Sequence, residues 1–131
     1  MSIDWEPLFA AAEAARQRAY ARYSKFQVGA ALLCSDGTII AGCNVENASY
    51  GLTICAERSA IARMVVEGKT LKAVAIVVNS VKPTPPCGMC RQVIAEFGPA
   101  STEVRSRTTD GGEAQYTLGE LLPHAFTKDF L

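Results

Sequence analysis

The chain has 131 residues, 49% of them apolar, and thirteen basic residues balance thirteen acidic ones. That length suits one compact domain over residues 1–131, and a chain this short gains burial by self-association. The neutral balance argues against a protein that works through phosphate contacts, so no nucleic-acid partner is expected. The longest apolar run, AVAIVV at 73–78, is too short to cross a bilayer. The start, MSIDWEPLF, lacks the basic residues and apolar block of a secretory signal, so the expectation is a cytoplasmic protein without a membrane partner.

Residues 6–22 are rich in alanine, glutamate and arginine, with Pro7 suited to a first turn behind Asp4, and read as a helix. QVGAALLC at 27–34 and TIIAGCN at 38–44 flank a Ser-Asp-Gly turn and read as a hairpin. VENASYGLT is loop-like. A helix opens near Thr53 or Ile54 and stops at Gly68. LKAVAIVVN at 71–79 has the length and valine content of a buried strand. After the proline-rich SVKPTPP loop, CGMCRQVIAEF reads as a helix ended by Gly98-Pro99. EVRSRTT and AQYT flank a DGG turn as two further strands, and LGELL is a short helix before the tail. The alternation predicts an α/β fold, a three-layer α/β/α sandwich with a mixed sheet of about five strands.

Five cysteines and a single histidine, His124, carry the chemistry. An odd count without a secretion signal speaks against a disulfide framework. Cys87 and Cys90, three apart, can present two sulfurs to one ion from one helical turn. Cys55 opens the preceding helix, and helix starts favour thiolates. Three thiolates suit Zn²⁺ and leave a fourth position for water, an arrangement associated with catalysis. Glu57, two residues after Cys55, is placed to take a proton from such a water and pass it on. Three thiolates around a divalent ion leave a net charge of −1, and Arg58 and Arg91 are placed to donate to the sulfurs and offset it. Other readings stay open on these residues alone. The CxxC can be a redox or packed pair, and a structural zinc site can draw a fourth ligand from Cys34, Cys43 or His124. Cys34 and Cys43 end the hairpin strands, where a small buried hydrophobe is the plainer role.

The stretches YSKFQVGAAL, NVENASYGLTICAERSAI and PPCGMCRQVIAEF resemble the small homotetrameric zinc-dependent cytidine deaminases, with Cys in place of the first His of the wider zinc-deaminase signature. The resemblance implies one zinc per chain on Cys55, Cys87 and Cys90, with Glu57 as the proton shuttle. It implies that Asn44 and Glu46 bond the sugar 3′-hydroxyl, that Phe26 packs on the pyrimidine, and that the backbone at Ala56 meets the base edge. Tyr50 and Phe126 would complete the pocket of a neighbouring subunit in a homotetramer. The implied substrate is a small nucleoside, cytidine or 2′-deoxycytidine, converted to the uridine form with release of ammonia in pyrimidine salvage. A deaminase of another substrate such as blasticidin S shares the three cysteines but not the NVENASYG stretch. A zinc-stabilised binding module without catalysis is the rival from a different class.

Overall fold

In the computed structural model, which describes residues 2–131, a five-stranded sheet carries helices on both faces. Helix α1 spans Trp5–Arg16; the Asp4 side chain accepts from the Glu6 N–H at its start, and Trp5, Leu8, Phe9 and Ala12 form the buried stripe. Strands β1 (Val28–Cys34) and β2 (Ile39–Cys43) pair antiparallel across a turn in which Gly37 has φ 90°, a conformation glycine adopts without strain. Helix α2 spans Ala56–Val66, β3 Leu71–Val78, α3 Gly88–Phe97, β4 Glu103–Thr108, β5 Glu113–Thr117 and α4 Leu118–Leu121. The strand order is β2-β1-β3-β4-β5. β3 and β4 run parallel and the other neighbours antiparallel. A parallel pair needs a crossover, and α3 lies in it.

Alternation along β3 separates two packing faces. Ala73, Ala75 and Val77 join Ala31 beneath Trp5, Leu8, Phe9 and Ala12 of α1. Val74, Ile76 and Val78 join Leu32, Ile40, Ile61, Met64 and Ile94 beneath α2 and α3. The expected three layers and mixed sheet are therefore present. The α1 face is lined with small residues, and the helix lies so close that a side chain at Gly29 would collide with the carbonyl oxygen of Ala12.

Two helix boundaries differ from expectation, and in both cases tertiary pairing claims the backbone. α1 ends at Arg16, not at residue 22, because the Tyr20 N–H donates to the Asn44 carbonyl and the Tyr20 carbonyl accepts from Glu46. α2 opens at Ala56, not near Thr53, because Val45 and Ile54 exchange both of their backbone hydrogen bonds. That pairing holds Ile54 extended and makes Cys55 the residue that caps α2. No helix among the described residues is long and apolar enough to cross a membrane.

Candidate metal centre and active site

Cys55 and Cys87 occupy equivalent places, each the extended residue immediately before a helix, with φ/ψ of −72°/157° and −66°/167°. Neither side chain caps its helix, so both sulfurs are free to face one another. Cys90 projects from the first turn of α3 and is fully buried. Cys55 Sγ lies 3.7 Å from Cys87 Sγ, and Cys87 Sγ lies 3.5 Å from Cys90 Sγ. All three sulfurs fall within 4.8 Å of one another. Tetrahedral zinc with Zn–S bonds of about 2.3 Å separates its sulfurs by about 3.8 Å, so the donor set fits that ion. Cys34, Cys43 and His124 lie outside the cluster, and Cys34 is packed in the core beneath α2. With those three residues outside, the cluster resembles an open site with three protein ligands more than a closed structural one.

The cluster sits where one cation, Arg58, and two helix starts favour negative sulfur. The Cys55 thiol is held down to about 5 by hydrogen bonding with the Cys90 thiol, aided by Arg58 and Cys87. The same bond with Cys55, together with burial, pushes the Cys90 thiol up. Glu57, in the first turn of α2, is only 4% exposed. Burial raises its carboxyl to about 7, the negative charge of Cys55 adds to the rise, and the Cys90 thiol opposes it. A carboxyl poised near neutrality can both accept and release a proton.

Arg58 reaches the sulfurs: its Nη2 donates to the Thr53 carbonyl at 3.2 Å and to Cys55 Sγ at 3.6 Å. Arg91 does not, which corrects the expectation that it shares this role. Its Nε donates to the Pro86 carbonyl at 2.7 Å and its Nη1 to the Leu121 carbonyl at 2.9 Å. It ties the proline loop before Cys87 to the end of α4, and these two carbonyls take up its Nε and Nη1 donors.

Phe26, Asn44 and Glu46 come together in one hydrogen-bonded unit. Asn44 Oδ1 accepts from the Val28 N–H at 2.9 Å, and its Nδ2 donates to the Phe26 carbonyl at 2.8 Å. Glu46 Oε1 accepts from the N–H groups of Tyr23 and Ser24 at 3.0 and 3.1 Å, and its Oε2 accepts from the Ser24 hydroxyl. These bonds keep the Glu46 carboxyl below its ordinary range, the Ser24 hydroxyl contributing most. Both residues are largely buried and each shapes the loop around Phe26. Ala56 is fully buried at the start of α2, where helix N–H groups lack intrahelical partners. Tyr50 and Phe126 stand out from the surface at 79% and 62% exposure. Phe126 stacks on Phe130 with ring centroids 5.7 Å apart, and Gln92 Nε2 donates to its carbonyl at 2.8 Å.

Residues 3–105 match the family described as "Cytidine and deoxycytidylate deaminase zinc-binding region". The chain belongs to that deaminase family. It is 50% identical over 128 residues to a cytidine deaminase of Halalkalibacterium halodurans, covering 97% of each chain. It is 48% identical over 130 residues to the cytidine deaminase of Sporosarcina psychrophila, covering 98% of this chain and 96% of the relative. The crystal structure of cytidine deaminase from Burkholderia pseudomallei superposes with a TM-score of 0.90 at 46% identity, covering 95% of this chain and all of the other.

Two features of this deaminase have no signal in its sequence. Asn79, just past β3, reads as an ordinary strand-ending residue; its side chain in fact bonds the backbone on both sides of Phe26, through Gln27 and Lys25. A wide groove between the end of α3 and the tail, bordered by Phe97, Leu118, Leu122 and His124, has no single motif in the sequence because its walls are far apart in the chain. None of the three clustered cysteines, nor Glu57, lines it.

Proposed function

We propose that the chain hydrolyses cytidine and 2′-deoxycytidine to uridine and 2′-deoxyuridine with release of ammonia, using one zinc per chain held by Cys55, Cys87 and Cys90. The observation that carries the reading is the meeting of three sulfurs at two helix starts beside the buried carboxyl of Glu57, in a chain of this family. Zinc bound there supplies a Lewis acid that lowers the pKa of a coordinated water from 15.7 toward about 7.

The chain's own groups do the rest. Glu57 takes a proton from the attacking water and hands it to ring N3, which makes C4 electrophilic. As the oxygen adds to C4, Arg58 and the two helix starts hold the charge on the sulfurs. Glu57 then carries the second proton from that oxygen to the exocyclic amine; the C4–N bond breaks, ammonia leaves and a carbonyl remains. Phe26 packs on the pyrimidine, and the Ala56 backbone meets its edge. Asn44 and Glu46 read the 3′-hydroxyl, a role compatible with their loop bonds: Glu46 Oε2 accepts only from Ser24, and Asn44 keeps one lone pair on Oδ1 and one N–H on Nδ2.

The assembly in this reading is a homotetramer acting in the cytoplasm, with Tyr50 and Phe126 closing the pocket of a neighbouring subunit. Exposed Tyr20, Val45, Leu52 and Ile54 flank Tyr50 in the chain or across its short bridges, and such an apolar surface favours cover. The test is ammonia release from cytidine by protein of known zinc content, with Glu57→Gln alongside. Glu57→Gln should keep its zinc and lose about 10²–10⁴-fold in kcat, the usual worth of a proton shuttle. Zinc-loaded protein that releases no ammonia from cytidine is a binding module, and near-normal turnover in the variant removes Glu57 from the reaction.

A further inference from the structure

The loop that presents Phe26 is under unusual backbone constraint. Lys25, the residue before Phe26, has φ 62°, a left-handed conformation that a lysine adopts only when its surroundings impose it. Three side chains from outside the loop hold it. Glu46 grips the N–H groups of Tyr23 and Ser24. Asn44 grips the Phe26 carbonyl and the Val28 N–H. Asn79 grips what remains: its Oδ1 accepts from the Gln27 N–H at 2.9 Å, and its Nδ2 donates to the Lys25 carbonyl at 3.4 Å.

Asn79 approaches from the other side of the loop. β1 and β3 pair with Val28 opposite Val78, so the ladder would continue to Gln27 and Asn79. There the Asn79 side chain takes over, bonding the chain on both sides of Phe26 while the loop turns away through Lys25. Asn44 and Glu46 act from the β2 end, so Asn79 is the anchor that ties the Phe26 loop to the central strand β3.

We propose that Asn79 is a positioning residue of the substrate pocket, which fixes the Phe26 ring by bonding the backbone on both of its flanks. The proposal rests on the reading of Phe26 as the residue that packs on the pyrimidine. Asn79 touches no substrate in this account. It acts through Phe26, on binding of the base more than on the chemical step.

The experiment is steady-state kinetics on cytidine with zinc-loaded wild type, Asn79→Ala, Asn79→Asp, Phe26→Ala and the Phe26→Ala/Asn79→Ala double variant, with zinc content and Tm measured for each. Asn79→Ala should raise KM about tenfold, the scale of one or two modest hydrogen bonds, with kcat within about twofold and zinc unchanged. Asn79→Asp keeps an acceptor for the Gln27 N–H and should recover most of the loss. In the Phe26→Ala background, adding Asn79→Ala should change KM by less than about twofold, because the residue it acts through is gone. Should Asn79→Ala fail to fold, Asn79→Ser, too short to span both partners, takes its place with the same expectations. An unchanged KM with only a lower Tm overturns the proposal, as does an equal KM increase with and without Phe26. If Phe26→Ala itself binds cytidine normally, the reading of Phe26 falls and the proposal with it; if Phe26→Ala is impaired while the Asn79 variants are normal, the proposal alone falls.

Discussion

Gly42 lies in β2 beneath the first turns of α2, and adding one methyl group there should damage the site without touching any of its residues. A Cβ at Gly42 would sit 2.6 Å from the Ala60 nitrogen, 2.6 Å from Ser59 Oγ and 3.0 Å from the Ala56 carbonyl oxygen. Two of those atoms are backbone and cannot rotate away. Optimal carbon contacts lie near 3.5 Å, so α2 must lift from the sheet by roughly 0.5–1 Å. Ala56 and Ala60 are fully buried, which shows how closely the helix is seated. Cys55 and Glu57 ride on that end of the helix, whereas Cys87 and Cys90 ride on α3 and stay in place. Gly42→Ala should therefore separate the two halves of the site. A displacement near 1 Å costs up to about 10²-fold in rate, and overpacking costs about 1–3 kcal/mol of stability. Ammonia release by zinc-replete protein reads the first effect, urea unfolding the second, and the rate of zinc loss to a chelator reads the parting of the cysteines. Ser59→Ala in the same chain should not rescue it, since it removes only one of the three clashes. Wild-type kcat/KM and an unmoved unfolding midpoint in Gly42→Ala would refute the reasoning and show that this contact does not set the position of α2.

Cys55→Ala, Cys87→Ala and Cys90→Ala should each lose bound zinc and activity together, whereas Cys34→Ser and Cys43→Ser keep both; metal analysis beside the ammonia assay checks this, and zinc loss in Cys34→Ser would favour a closed structural site. Asp36 accepts from Lys69 at 2.7 Å, and that bond, with those from Thr38, holds its carboxyl well below the ordinary 3.8. A lowered folded-state pKa means the contribution is fully present above pH 3.8 and fades as the solution is acidified further. Asp36→Asn should thus lower the unfolding midpoint slightly at pH 7 and differ progressively less from wild type as pH falls below 3.8. The ion pair is exposed, so salt should shrink the difference at pH 7 as well.

The parts of this protein legible in its sequence are those encoded by neighbours in the chain. The spacing of the two cysteines in PCGMC and of the Cys-Ala-Glu triplet suggests a shared metal, the resemblance of the longer stretches favours a catalytic one, and the three sulfurs do meet. The valine run of β3, the glycine turn of the hairpin and the alternation of helices and strands give the layers. What stayed hidden depends on residues distant in sequence. The end of α1 at Arg16 is set by Tyr20 pairing with the backbone at 44 and 46. The start of α2 is set by Ile54 pairing with Val45. Arg91 follows a cysteine in sequence just as Arg58 follows a glutamate, yet one finds carbonyls of the proline loop and α4 while the other finds a sulfur. Gly42 and Asn79 read as an ordinary strand glycine and an ordinary strand end; only the elements packed against them give them meaning.

The two faces of the sheet should age differently under random mutation. Beneath α1 the sheet offers Gly29, Ala31, Ala73 and Ala75, side chains with almost nothing to remove, so harm there comes from enlargement. Beneath α2 and α3 it offers Leu32, Ile40, Ile76 and Val78 against Met64 and Ile94, where harm comes from truncation and the cavity it leaves. A deep mutational survey of this chain would then divide the central strand by parity. Odd positions 73 and 75 would reject any gain in volume, and even positions 74, 76 and 78 would reject any loss. Adaptive drift on the α2 face can proceed through paired exchanges that conserve volume. The α1 face has little such freedom, and its residues are bound to stay small as long as that helix lies where it does.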